Sequence, residues 1–283
     1  KASRSDITGQ DREAIYVKGS GWDMGNLEVP GLTPLDLPRL KQLLELRELS
    51  DIDMMRELSA AKLDPGSPNP SVETLLHAFI PFRAVQHSHA DVIVTLTNLA
   101  GMNAPDEVVR NIFGDEVIVI PYVMPGFDLA KEVGRLFLEN VSDKTEGLVL
   151  LNHGIFTFGD NAHQSYTRMI DLVNVAEEYL IKQNAWNIEK NTTVSITSDS
   201  KMIKVAQLRK DISLVAGKPM LIHFTNSKLG LSFSNRDDVE EIACRGPITP
   251  DHVIRTKRIP MIGRDVDKYM KEYTSYFNTY EPK

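Results

Sequence analysis

Along the chain, short runs of consecutive apolar residues alternate with longer segments whose apolar residues recur every three or four positions. The first kind suits buried strands and the second amphipathic helices. Ala14–Lys18, Ala84–His89 and Glu116–Tyr122 read as strands, and Gly147–Gly159 as two strands or a bent one. Helical spacing marks Asp36–Leu49 (leucines at 37, 40, 43, 44 and 46), Asp91–Leu99, Phe127–Leu138 and Asn161–Lys182. In the last of these the stripe is Tyr166, Met169, Ile170, Val173, Ala176 and Leu180. Ser50-Asp-Ile-Asp53 has the outline of a capping box opening a helix through Ala60. Ser71, after the turn-rich Asp64–Ser71, reads as the N-cap of a helix through Ile80.

The pattern predicts an α/β protein, three-layered α/β/α around a central mixed or antiparallel sheet, because strict βαβ alternation is lacking. Asn187–Ser198 is polar and aperiodic, so the expected organisation is a catalytic domain over residues 1–185 and a smaller α+β extension over 186–283. In the extension a helix is expected near Lys201–Ala216 and strands around Met220–Phe224 and Leu229–Ser234. The tyrosine-rich end (Tyr269, Tyr273, Tyr276, Tyr280) reads as an extended tail.

Composition narrows the function. With 32 Lys+Arg against 39 Asp+Glu the net charge is −7, which disfavours nucleic-acid binding through a phosphate-neutralising surface. A single cysteine, Cys244, excludes an intrachain disulfide framework and points to a reducing compartment. No run approaches the about 18 apolar residues of a membrane span, and the first residues lack the apolar core of a signal peptide, so the expected location is cytoplasmic, with no membrane partner.

The seven histidines are unevenly placed. His87 and His89 lie two apart on a strand and therefore share a face. His153 ends the apolar run Gly147–Leu151, beside Gly154. If those strands are neighbours, three imidazoles converge on one divalent metal and leave positions open for substrate. Zinc is favoured, and cobalt, nickel or manganese would also suit the set. His77, His163 and His223 read as ordinary hydrogen-bonding histidines. Glu73 falls in the first turn of its helix, where a carboxylate commonly serves the helix N-terminus. Lys18-Gly19-Ser20-Gly21 and the loop holding Asn69 and Ser71 are small-residue turns suited to an anion.

In order, Lys18-Gly-Ser-Gly, Pro70-Ser71-Val72-Glu73, His87-Ser-His89 and Asn152-His153-Gly154 resemble the class II aldolase/adducin family over roughly the first 185 residues. The strings SVETLLHAFIPFRAVQHSHAD, PYVMPGF and RGPITPDHVIRTK resemble one branch, in which an aldolase-like half precedes a short-chain dehydrogenase half. That branch is often labelled bifunctional rhamnulose-1-phosphate aldolase/alcohol dehydrogenase. The resemblance implies that His87, His89 and His153 hold a divalent metal, usually zinc. It implies that Glu73 moves a proton, its pKa raised by a low-dielectric site. It also implies cleavage of a ketose 1-phosphate through an enediolate, phosphate binding at Lys18, Gly19, Ser20, Gly21, Asn69 and Ser71, and a homo-oligomer, commonly a tetramer. The other reactions open to such a site are epimerisation, dehydration and decarboxylation. A non-catalytic adducin-like module is disfavoured by the retention of all three histidines.

The sequence departs from the family pattern in three places. The phosphate turn lacks its asparagine, and Thr33-Pro34-Leu35-Asp36 puts an aspartate where an anion should bind. No tyrosine occurs in Thr95–Gly114 to match the family's proton donor. Tyr122 is an accessory candidate in its place. His252 and Arg255, in a stretch made basic by Arg245 and Lys257, are candidates for replacing lost phosphate contacts.

Overall fold

The computed structural model describes residues 1–99, 105–187, 199–225 and 227–281, with side chains omitted at 105 and 199–201. The chain divides into two compact units, one of residues 1–183 with 248–250, the other of residues 184–247 with 251–283. The boundary expected within Asn187–Ser198 lies, apart from Asn187, outside the described residues.

The first unit runs β1 (Ala2–Ser5), β2 (Asp11–Lys18), β3 (Leu32–Asp36), α1 (Leu37–Leu43), α2 (Asp51–Ala60), α3 (Thr74–Phe79), β4 (Ala84–Ser88), α4 (Asp91–Thr97), α5 (Pro105–Phe113), β5 (Val117–Ile120), α6 (Phe127–Asn140), β6 (Gly147–Leu150), β7 (Gly154–Gly159) and α7 (Ala162–Lys182). Its central sheet has the order β4-β7-β6-β5. The β4/β7 and β7/β6 pairs are antiparallel and β6/β5 is parallel, so the sheet is mixed. A second, antiparallel sheet has the order β1-β2-β3.

Alternation along the central strands sends side chains into two cores. Ile118, Ile120, Leu148, Leu150, Phe156 and Phe158 pack on one side with α1, α2, α3 and α6. Val117, Val119, Val149 and Ile155 pack on the other with α4, α5 and α7. These are the two helical layers of an α/β/α sandwich. All four residues of β5 and of β6 are buried, which explains their continuous apolar runs.

Some elements differ from the sequence reading. The first helix ends at Leu43, and Asp36 is its N-cap, accepting from the Arg39 amide. The Thr-Pro-Leu-Asp segment is thus the strand β3 followed by a helix cap, which accounts for an aspartate where an anion was expected. The helix expected from Ser71 begins at Thr74, with Glu73 at the N-cap position. In α7 the buried stripe is Ser165, Met169, Leu172, Ala176 and Leu180, while Tyr166 and Ile170 are exposed.

The second unit is helical among its described residues. Its helices are α8 (Asp199–Ala216), α9 (Lys228–Ser234), α10 (Val239–Ala243), α11 (Pro250–Arg255), whose Pro250 groups with the first unit, and α12 (Val266–Tyr280). Neither expected strand forms. Met220–Phe224 pairs with no strand among the described residues and leaves Leu221 exposed, and Leu229–Ser234 lies in a helix capped by Ser227, whose hydroxyl accepts from the Gly230 amide. The expected α+β extension is therefore α-helical here. The tyrosine-rich end is also a helix, because its 4-3-4 spacing is a helical stripe. Lys257 sits 3.7 Å over the Tyr273 ring, and Tyr269 donates to the Ile259 carbonyl. No helix among the described residues is long and apolar enough to cross a membrane.

Candidate metal centre

The site is assembled from three segments of the first unit. The β4 register places His87 opposite Phe156 on β7, and Phe156 stacks on the His87 ring with centroids 4.1 Å apart and 17° between planes. His89 follows β4 directly. His153 occupies the β6–β7 turn, and Glu73 stands at the N-terminus of α3.

Ligand atoms of Glu73, His87, His89 and His153 all lie within 4.8 Å of one another. His87 Nε2 is 2.9 Å from His89 Nε2, His153 Nε2 is 2.8 Å from Glu73 Oε1, and His87 Nε2 is 3.3 Å from the same oxygen. Donors about 2.0–2.1 Å from a tetrahedral zinc stand roughly 3.3 Å apart, close to these three separations.

Tautomers support the same reading. His87 Nδ1 lies 3.0 Å from the Ile155 carbonyl, which can only accept, so Nδ1 carries a proton and Nε2 is the nitrogen turned toward the site. His153 Nδ1 is buried with no hydrogen-bond partner. In the metal-free chain the His153 proton therefore belongs on Nε2, facing Glu73. Three imidazole nitrogens and one carboxylate oxygen form a donor set that suits a borderline divalent cation.

Electrostatics correct one expectation. Burial raises the Glu73 pKa, but His87 and the hydrogen bond from His153 outweigh it, and the carboxyl is held well below its ordinary range. Glu73 is thus a carboxylate in this structure, where the resemblance implied a raised pKa. Nor does it cap its helix: its side chain makes no capping bond, and Ser71 Oγ accepts from the Glu73 amide instead. His77, one helical turn beyond Glu73, packs edge-on against Phe156 with centroids 5.4 Å apart. Burial, then the charge on His87, pushes the His77 imidazole down to about 4.

The β6–β7 turn has defined geometry. The His153 amide donates to the Leu150 carbonyl, and Asn152 has φ 58° while Leu151 is not in the positive-φ region. That combination is of the type II kind, whose third residue requires positive φ. Asn152 Nδ2 donates to Asn98 Oδ1 at 2.8 Å. Gly154 then lets the strands approach, since a Cβ there would lie 2.4 Å from the Ser88 carbonyl oxygen.

The expected anion turns do lie together. Gly19 forms a bridge with Pro70, and the Ser20 amide donates to the Asn69 carbonyl. Their amides are not free for phosphate, however, because Gly19 N donates to Gly31 O and Ser20 N to Asn69 O. Lys18 Nζ donates to the Gly19 and Trp22 carbonyls, closing its own turn. Ser20, Gly21 and Asn69 are exposed and Ser71 is half-buried. Tyr122 is exposed beyond β5, its hydroxyl 3.8 Å from Met124 Sδ. His252 and Arg255 are exposed on α11 in the second unit. Sequence reasoning did not find Phe156, the Ile155 carbonyl or Asn98. The first two follow only from the strand register, and Asn98 carries no sequence signal at all.

Comparisons with known proteins identify the family. Residues 3–180 match the Class II Aldolase and Adducin N-terminal domain, and residues 199–283 match the Aldolase class II second domain. The N-terminal class II aldolase domain of a conserved Thermoplasma acidophilum protein is 35% identical, with TM-score 0.58, covering 63% of this chain and 80% of that one. A Bacillus subtilis (strain 168) protein named uncharacterized oxidoreductase YuxG is 26% identical over 300 residues. That alignment covers 98% of this chain and 42% of the relative, so the chain spans less than half of the longer protein. An L-fuculose 1-phosphate aldolase is 16% identical with TM-score 0.41, covering 74% of this chain and 84% of that one. Because the N-terminal match takes in most of the chain and the second-domain match follows it in order, this chain belongs to the class II aldolase and adducin family.

Proposed function

We propose that the chain is a divalent-metal-dependent carbon–carbon lyase that cleaves a ketose 1-phosphate, rhamnulose 1-phosphate being the first to test. The observation that carries this reading is the convergence of Glu73 with three imidazoles, all ligand atoms within 4.8 Å. In it, residues 1–185 form the catalytic domain and 186–283 an extension, His87, His89 and His153 hold the ion, and zinc is the preferred occupant. When bound, the ion supplies positive charge to the oxygen that becomes anionic as the bond breaks. Imidazoles that give Nε2 to a cation no longer donate to Glu73, which leaves its carboxylate to accept a proton from substrate. Phe156 and the Ile155 carbonyl keep the His87 ring from turning while this occurs. The exposed Ser20 and Gly21 and the neighbouring Ser71 are the groups we assign to the phosphate, with Lys18 shaping the turn.

The longer relative named as an oxidoreductase supports placing this chain in the branch where an aldolase-like half precedes a dehydrogenase half. We also propose a cytoplasmic homotetramer. The test of the main reading is a screen of ketose 1-phosphates with metal-loaded protein, reading release of dihydroxyacetone phosphate. Turnover that a chelator abolishes and zinc restores supports the proposal. Stoichiometric metal with no cleavage of any member would remove the lyase assignment while leaving the centre intact.

A further inference from the structure

We infer that Asn98 and Asn152 are positioning residues: their side-chain hydrogen bond makes α4 a strut between the segments carrying His89 and His153. The inference rests on the metal reading above. Helix α4 begins two residues after His89, and Asn98 caps its other end. One element thus starts beside one ligand and ends against the turn that presents another.

The backbone of that turn explains only part of the sequence. Positive φ at Asn152 would suit glycine better than any other residue, since glycine adopts it without steric cost. Asparagine is the usual second choice, and here it adds what glycine lacks: Nδ2 reaches Asn98 Oδ1 at 2.8 Å. The acceptor is itself oriented. Asn98 Nδ2 donates to the Val94 carbonyl at 2.9 Å, so a flipped amide would set two oxygens against each other. With Nδ2 engaged by α4, Oδ1 points at the turn. The Asn98 backbone amide also donates to Val94 O at 3.0 Å, which anchors the residue to the helix twice. Two neighbouring residues of the turn are tied as well, Leu151 N to Ile120 O on β5 and His153 N to Leu150 O. The Asn–Asn bond adds a tie from the turn to the far end of α4, beside the β4/β7 ladder that already pairs Ser88 with Ile155.

The pair therefore holds the spacing of the ligands, and its loss should appear in the metal rather than in the fold. The test uses the full chain with Asn98→Ala, Asn152→Gly and the double variant. Zinc dissociation constants are measured by chelator competition, cobalt(II) visible spectra report ligand geometry, and melts of the metal-free proteins report the fold. Glycine keeps the turn's φ, so Asn152→Gly should melt near the native protein. Each single variant should bind zinc about threefold to tenfold more weakly, the worth of one neutral hydrogen bond, with a shifted cobalt spectrum. The double variant should be no weaker than the weaker single one, because both remove the same bond. Native affinity and cobalt spectrum in both singles, or losses that multiply in the double, would overturn the strut. A native protein that takes up no zinc or cobalt would overturn the metal reading itself and the strut with it, an outcome distinct from the first.

Discussion

Replacing Gly154 with alanine should damage the metal centre more than its size suggests. The new Cβ would lie 2.4 Å from the Ser88 carbonyl oxygen, 3.1 Å from His89 Cδ2 and 3.2 Å from His87 Cε1. A carbon and a carbonyl oxygen rest no closer than about 3.3 Å, so the end of β4 must retreat by roughly 0.9 Å. A backbone ladder cannot absorb this as the tip of a flexible side chain would. Metal–ligand distances hold to about 0.2 Å, and the forced shift is several times larger. Zinc affinity should therefore fall about 10–100-fold, the usual effect of disturbing what supports a ligand. Overpacking should also cost the metal-free protein about 1–3 kcal/mol. At about 2–4 °C per kcal/mol for a unit of this size, its Tm should drop several degrees.

Chelator competition measures the first effect and a thermal melt the second. Gly134→Ala is the matched control, because in α6 a Cβ there meets nothing nearer than Phe79 Cδ2 at 4.0 Å. It should leave metal affinity alone and stabilise the helix by about 1 kcal/mol. If Gly154→Ala bound zinc within threefold of the native protein and melted at the same temperature, the argument from strand approach would be wrong.

Other outcomes follow from the same geometry. His87→Ala and His153→Ala should each abolish stoichiometric metal in elemental analysis, and a full equivalent in the double variant would place the site elsewhere. Glu73→Gln should keep fold and metal while kcat on the cleaved substrate falls roughly 10²–10⁴, and near-native kcat would remove the proton-moving role. Metal-free protein should weaken in mild acid through His77. Its imidazole is held near 4 in the fold against 6.5 when unfolded, so between those values the unfolded chain binds the extra proton. This contribution is fully present above pH 6.5 and is lost as pH falls toward 4, by about 3 kcal/mol at most. Urea melts at pH 7 and pH 4.5, native against His77→Leu, isolate it. An equal acid slope in both proteins would contradict the burial argument.

The helices α2, α6 and α7 and the strands β4 through β7 were legible because apolar periodicity and caps such as Ser50 and Asn161 act locally. The His-x-His pair was legible for the same reason, two histidines two positions apart at the end of one strand. What escaped depends on partners distant in sequence. Strand β1, Ala-Ser-Arg-Ser, has no apolar signal and exists through its ladder with β2. Leu229–Ser234 alternates like a strand, yet with the Ser227 cap and no strand of its unit beside it among the described residues it coils. Spacing alone puts Glu73 in a first helical turn, and only the family resemblance brings it to the metal, because its neighbours His87 and His153 are 14 and 80 residues away. The direction of its pKa was missed for the same reason, since burial was foreseeable and the imidazole partners' strength was not.

Strand β4 lies at one end of the central sheet and pairs with β7 alone among the described strands. An edge strand opens more readily than an interior one, and its amides should exchange with solvent earlier than those of β6. A cation held by His87, His89 and His153 would pin that strand and close the long loop between His87 and His153, much as a covalent crosslink does. Deuterium uptake at β4 should then slow on adding zinc while uptake at β6 scarcely changes, so the ion would govern how long the strand stays folded as well as the chemistry beside it.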